Sequence, residues 1–208
     1  MRPRFGETHV RPSIYRILAL PLVIVSMMAL RTGVASAQDV YKVNYFSNNT
    51  VAGAPDATVR IDNPGLTYGN LCAMIYVFAA DQQMAECCGC MQSHNNLNTY
   101  SVRTNLASPA KTLTGEFTPS GVIKIVAAAP TGGTCDPTSG VTPKANLRAW
   151  ATHIQNKVGS TFPITETEFS DSTLGATELA NLQAQCAFIN ILGSGYGICS
   201  CSSSELIE

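Results

Sequence analysis

The chain has 208 residues, 13 Lys and Arg against 14 Asp and Glu for a formal charge of −1, and eight cysteines. Without a basic excess there is little to hold phosphates, so nucleic acid and anionic membrane surfaces are not expected partners. The length suits one domain with an adequate core, or two very small ones, and one is expected.

At the N-terminus Arg2, Arg4, Arg11 and Arg16 precede the apolar run Ile17–Leu30, and Ala35-Ser36-Ala37 follows it. A basic segment, a short apolar core and a small-x-small site predict a secretory signal peptide over residues 1–37, cleaved before Gln38. A membrane anchor is disfavoured, because fourteen helical residues rise about 21 Å against a hydrocarbon core of roughly 30 Å. The remaining chain, residues 38–208, is expected to be a single secreted domain with no stable membrane span. It carries eight basic and thirteen acidic residues, a formal charge of −5, and all eight cysteines. Export and an even cysteine count together predict disulfides.

Short β-like runs then alternate with turn signals. Val40–Phe46 and Ala57–Ile61 come first, the second ending at Asp62-Asn63-Pro64-Gly65. Leu71–Ala80 (LCAMIYVFAA) is apolar throughout, which predicts a strand buried on both faces. Residues 82–90 hold Gln, Met, Ala and Glu, and predict one or two helical turns. Thr99–Leu106, Gly121–Ala128 and Asn146–Ile154 are further strand candidates, with a long loop over Pro130–Pro143. Leu179, Leu182, Cys186 and Ile189 recur at helical spacing and predict a C-terminal helix over about 177–192. Thr177 is its expected cap and Gly193 its expected end. A cysteine-bearing tail follows. The expected fold class is mainly β: an antiparallel β-sandwich-like domain with a disulfide-stapled C-terminal α-helix.

Residues 86–94 read ECCGCMQSH, and three chemistries compete for them. Cys87, Cys90 and His94 have plausible zinc spacing, with Cys199 or Cys201 as a fourth ligand. An exported chain meets oxidising conditions before such a site matures, and Cys88 and Cys135 would be left over. A redox C-x-x-C opens a helix, whereas these cysteines close the expected one. Haem attachment needs His where Met91 stands. Disulfides are the favoured use of all eight residues: Cys72, Cys87, Cys88, Cys90, Cys135, Cys186, Cys199 and Cys201. Adjacent Cys87 and Cys88 diverge and are expected to take different partners. A local bridge from Cys186 to Cys199 or Cys201 is the expected single pairing.

The strings NLCAMIYVFAADQQMAECCGC (70–90), LRAWATHIQ (147–155), ITETEFSDSTL (164–174) and ELANLQAQCAFI (178–189) carry a resemblance. Over roughly Ala57 to Cys201 the chain resembles a group of short, uncharacterised secreted bacterial proteins, acidobacterial sequences in particular. The resemblance implies a bacterial, exported origin and brings no activity with it.

No catalytic set stands out. His94 falls in a polar loop and His153 in an alternating run near Trp150. Neither accompanies a G-x-S-x-G elbow. Glu166, Glu168 and Asp171 cluster, and a glycosidase pair or calcium ligands would need such oxygens. A solvated strand edge that discourages edge-to-edge association is the favoured use. Tyr41, Tyr45, Phe46, Tyr68, Tyr76, Tyr100 and Trp150 could line a carbohydrate or peptide surface, with core packing favoured for most. The expectation is a non-catalytic structural, adhesive or ligand-binding module acting on an extracellular or cell-surface ligand, without cofactor or metal. A secreted hydrolase using His94 or His153 with carboxylates, and a Cys/His zinc-binding protein, are the alternatives.

Overall fold

The period-two alternation of the β-like runs builds strands, as the burial along each of them shows. In β2 (Thr58–Asn63) Val59, Ile61 and Asn63 are buried, while Thr58, Arg60 and Asp62 are partly exposed. The computed structural model describes residues 39–108, 118–191 and 197–202, which belong to one unit, Ala37–Glu208. The expected signal peptide lies outside the described residues.

Ten strands and one long helix occur among the described residues. Besides β2 they are β1 (Tyr41–Phe46), β3 (Leu71–Ala79), β4 (Met84–Gln92), β5 (Asn96–Ser101), β6 (Gly121–Ala129), β7 (Thr142–Pro143), β8 (Arg148–Ile154), β9 (Ile164–Glu168), β10 (Ser170–Ser172) and α1 (Ala176–Ile191). They form two antiparallel sheets, ordered β10-β1-β6-β3-β4 with β7 on β6, and β5-β2-β8-β9. The chain passes from one sheet to the other between β9 and β10. Buried Phe169 marks that crossing, its N–H donating to the Ala149 carbonyl at 2.8 Å.

Two apolar clusters follow from this layering. One lies between the sheets and includes Val59, Ile61, Ala73, Ile75, Ile123, Ile125 and Leu147. The other contains Cys72, Met74, Tyr76 and Val126 of the larger sheet together with Leu182, Cys186 and Ile189 of α1. Strand β3 serves both clusters with alternate residues, which is why its sequence is apolar at every position. The fold class agrees with the expectation: mainly β, two antiparallel sheets, a C-terminal helix and four disulfides.

Several boundaries differ. Residues 84–92 form strand β4 and not helical turns. After a tight turn, in which Gln82 has φ 71° and the Gln82 N–H reaches the Ala79 carbonyl at 2.9 Å, the chain returns antiparallel along β3. Pairing with a long buried neighbour outweighs local helix propensity. The run expected as a strand over Thr99–Leu106 ends at Ser101 and continues as a single π-helical turn, Val102–Leu106. Ser101 caps it, its Oγ accepting from the Thr104 N–H at 2.8 Å. Helix α1 begins at Ala176, with Leu179 N–H on the Gly175 carbonyl at 3.0 Å, so Thr177 lies inside the first turn and is not the expected cap; Gly193 lies outside the described residues.

Candidate functional site

The bridges are Cys72–Cys135, Cys87–Cys186, Cys88–Cys199 and Cys90–Cys201, leaving no free cysteine. Cys87 and Cys88 do take different partners, because neighbouring residues of a strand point to opposite faces. Cys87 faces α1 and Cys88 faces the space between the sheets. The expected local bridge within 186–201 is overturned. The tail after α1 runs parallel to β4, with Cys87 N–H donating to the Gly197 carbonyl at 2.8 Å and Cys199 N–H to the Cys87 carbonyl at 3.2 Å. That register sets Cys199 beside Cys88 and Cys201 beside Cys90, leaving Cys186 for Cys87. Gly89 is required here, since a Cβ would run into the Cys135 carbonyl.

The zinc candidates are not brought together. Cys87 and Cys90 occupy opposite faces of β4, and His94 is exposed in the turn beyond it, stacked on Tyr68 at 6.3 Å. The Sγ atoms of Cys88, Cys90 and Cys201 all lie within 4.8 Å of one another, but each is bonded to sulfur, so no thiolate is on offer.

His153 is fully buried, with Nε2 2.7 Å from Thr167 Oγ1 and the ring stacked 4.1 Å from Tyr45. Burial pulls its pKa below the usual imidazole value, against a raising influence from the Tyr45 backbone. Across the β8–β9 pair His153 opposes Thr165, while Thr152 opposes Glu166 and Trp150 opposes Glu168. Alternation therefore puts the imidazole and those two carboxylates on opposite faces of one sheet. The hydrolase set of His153 with Glu166 or Glu168 is not assembled.

The acidic cluster is also divided. Glu166 pairs with Arg60 across the second sheet. Asp171 sits on β10 of the other sheet and binds Lys42 Nζ at 2.6 Å, while Asp39 binds the same nitrogen at 2.9 Å. Burial alone would lower the Lys42 pKa, but the hydrogen bonds to Asp171 and Asp39 outweigh it and the net shift is upward. The ammonium thus occupies the place between carboxylates that a calcium ion would need. Glu168 and Asp171 do both line one polar cleft of about 390 Å3 beside Lys42 and Arg148.

The outward face of β5-β2-β8-β9 presents a different arrangement. Trp150 sits on central strand β8 opposite Arg60 of β2, partly exposed, in the same alternation phase as Arg148 and Thr152. The Arg60 guanidinium donates to the Glu166 carboxylate from the flanking strand β9. With Leu97 of β5, itself 54% exposed, these residues line an open cavity of about 450 Å3. Sequence reading placed most aromatics in the core, which holds for Tyr41, Phe46, Tyr76 and Tyr100. Of the other aromatics named as possible surface residues, Tyr45 and Tyr68 are exposed and Trp150 is partly exposed, among polar neighbours in RAWATHI while Ala149 and Ala151 fill the buried phase.

Arranged this way, the residues define a bridge-stapled two-sheet β protein with a partly exposed tryptophan on one outer face. No family model, curated protein or solved structure matches the chain. Among the described residues no helix is long and apolar enough to cross a membrane.

Proposed function

We propose that the protein is an exported, non-catalytic binding module, of the bacterial kind its sequence resembles, and that it takes neutral saccharide on the Trp150 face. The observation that carries the reading is the Trp150–Arg60–Glu166 arrangement on an open sheet face. A pyranose ring has an apolar C–H face and a rim of hydroxyls. An indole plane stacks against the first, and a guanidinium and a carboxylate held side by side serve the second as donor and acceptor. The charges of Arg60 and Glu166 cancel, which favours a neutral ligand over a charged one. A cavity of about 450 Å3 falls in the range of small-ligand sites. Export is supported by four bridges, which an oxidising compartment forms and keeps.

The chain has one tryptophan, so indole fluorescence reports on this face alone. Titration with a panel of neutral oligosaccharides is expected to shift Trp150 emission saturably. Trp150→Ala and Arg60→Ala are expected to weaken binding, measured calorimetrically, by about tenfold or more each, in keeping with loss of a central aromatic or arginine contact. His94→Ala is expected to change nothing. Undiminished binding in Trp150→Ala, or turnover of any panel member that His94→Ala or His153→Ala abolishes, would count against the proposal.

A further inference from the structure

Cys88 and Cys90 are two residues apart on β4 and share a face; Cys199 and Cys201 are likewise two apart in the tail that runs parallel to it. Their bridges are therefore stacked, with Cys88 Sγ and Cys90 Sγ 3.7 Å apart, which is van der Waals contact between sulfurs. Accessibility is sharply graded along the stack. Cys90 is 0% exposed, and Cys88 and Cys199 are 5% exposed. Cys201 is the one exposed residue among the eight cysteines, all of which are described. Within the stack an external nucleophile thus meets Cys201 first, while partly exposed Cys135 belongs to a bridge outside it; behind Cys201 lies a second disulfide already in contact with the leaving group of the first.

We propose that Cys90–Cys201 and Cys88–Cys199 form a thiol-exchange site that accepts a low-molecular-weight thiolate at Cys201 and passes the exchange inward to Cys88. This rests on the sulfur geometry and is independent of the saccharide reading. In the first step the thiolate attacks Cys201 Sγ, forming a mixed disulfide and breaking the bond to Cys90, which leaves as thiolate. In the second, Cys90 attacks Cys88 Sγ, forming Cys88–Cys90 and expelling Cys199 as thiolate. In the third, Cys199 attacks Cys201 Sγ, forming Cys199–Cys201 and releasing the external thiolate. Each step makes and breaks one sulfur–sulfur bond, so the sequence is redox-neutral and the thiol is regenerated.

Proximity drives the second step, since the captured sulfur is in contact before any bond breaks. The product is within reach. Alternate residues of an extended strand have Cα atoms about 6.8 Å apart, at the upper end of the span that disulfides bridge. Gly89 lies between the two cysteines and gives the backbone freedom to shorten that span. The outcome is a tail no longer covalently tied to β4. It would be held by non-covalent contacts alone, among them Ser200 N–H to the Asn105 carbonyl at 2.8 Å.

The test uses the full oxidised protein under native conditions with a catalytic amount of reduced glutathione, followed by acid quenching, alkylation and disulfide mapping by mass spectrometry. The segment holding Cys88 and Cys90 and the segment holding Cys199 and Cys201 are expected to become unlinked from each other. Each should then be internally bridged, lighter by two hydrogens than its dithiol, with Cys72–Cys135 and Cys87–Cys186 unchanged. In the Cys88→Ser/Cys199→Ser variant the relay has no second disulfide, so glutathione should remain on Cys201 with Cys90 alkylated. Glutathione landing first on any other cysteine, or exchange that never joins Cys88 to Cys90, would overturn the proposal. Native bridges left untouched by the thiol would overturn it as well. If the variant does not fold, the map of the unsubstituted protein decides alone.

Discussion

His153 shows how a single residue is committed to structure and what that commitment costs in acid. Its ring has Tyr45 stacked on it and Thr167 beneath its Nε2, and burial holds its pKa below the usual value of 6.5. In the unfolded chain the imidazole titrates near 6.5. The unfolded state therefore binds more protons than the folded one once the pH drops below that value. Stability is then fully present above about pH 6.5 and is lost as the pH falls through the lowered folded pKa. The carboxyls of Glu178, held down chiefly by a hydrogen bond from Lys124, and of Asp136, held down by Thr138, lose their contributions only below about pH 4.5. Between pH 7 and 5 His153 should thus contribute a fall in stability as the pH drops. Urea midpoints across that range are expected to fall for the unsubstituted protein and to flatten in His153→Gln. The same slope in both would mean that the histidine is not the group responsible.

At the scale of elements, β9 is an edge strand whose five residues are all exposed, and acids alternate along it. Ile164, Glu166 and Glu168 share one face, so replacing both acids leaves an unbroken apolar row along an unpaired edge. Glu166→Val/Glu168→Val is expected to aggregate on heating faster than the unsubstituted protein while its urea midpoint moves little. Unchanged light scattering would remove the protective role assigned to these carboxylates. The exposure of this edge was legible in ITETE, as the burial of β3 was legible in LCAMIYVFA, because burial on no face and burial on both faces leave plain patterns. Strand β4 was not legible, because Met84–Gln92 carries residues that suit a helix and only β3 makes it a strand. The π-helical turn at Val102–Leu106 was hidden for a similar reason. It rests on partners far away in sequence, with Val102 N–H on the Ala57 carbonyl at 2.8 Å and Arg103 N–H on Asp56 Oδ1 at 3.1 Å. Local spacing made Cys186 look like the partner of Cys199 or Cys201, whereas the register of the tail on β4 decides the pairing. Trp150 could be read as outward-facing from its own strand, but nothing local reveals that β2 and β9 bring Arg60 and Glu166 beside it.

Across the whole molecule the two apolar clusters are unequal, and that inequality sets the order in which the protein comes apart. The inter-sheet cluster is built from both sheets, whereas α1 contributes only Leu182, Cys186 and Ile189 as buried residues. A sixteen-residue helix on its own is marginal in water, so α1 depends on its docking. Near its start Glu178 receives hydrogen bonds from Lys124 Nζ at 2.7 Å and Tyr41 Oη at 2.9 Å; farther along, Cys87–Cys186 staples it to β4. With Cys88–Cys199 in place, Cys87–Cys186 closes a loop spanning mainly residues 186–199. The loop-entropy account gives such a closure about 3 kcal/mol. Opening the bridges withdraws that constraint from α1 and the tail, while the sheets keep their apolar core and ladders. Local stability then becomes uneven in a way that amide exchange resolves. After full reduction and alkylation, α1 amides are expected to exchange quickly while those of β3 and β6 stay protected. Loss of protection in all three together would show that the bridges hold up the sandwich itself and not merely the helix laid across it.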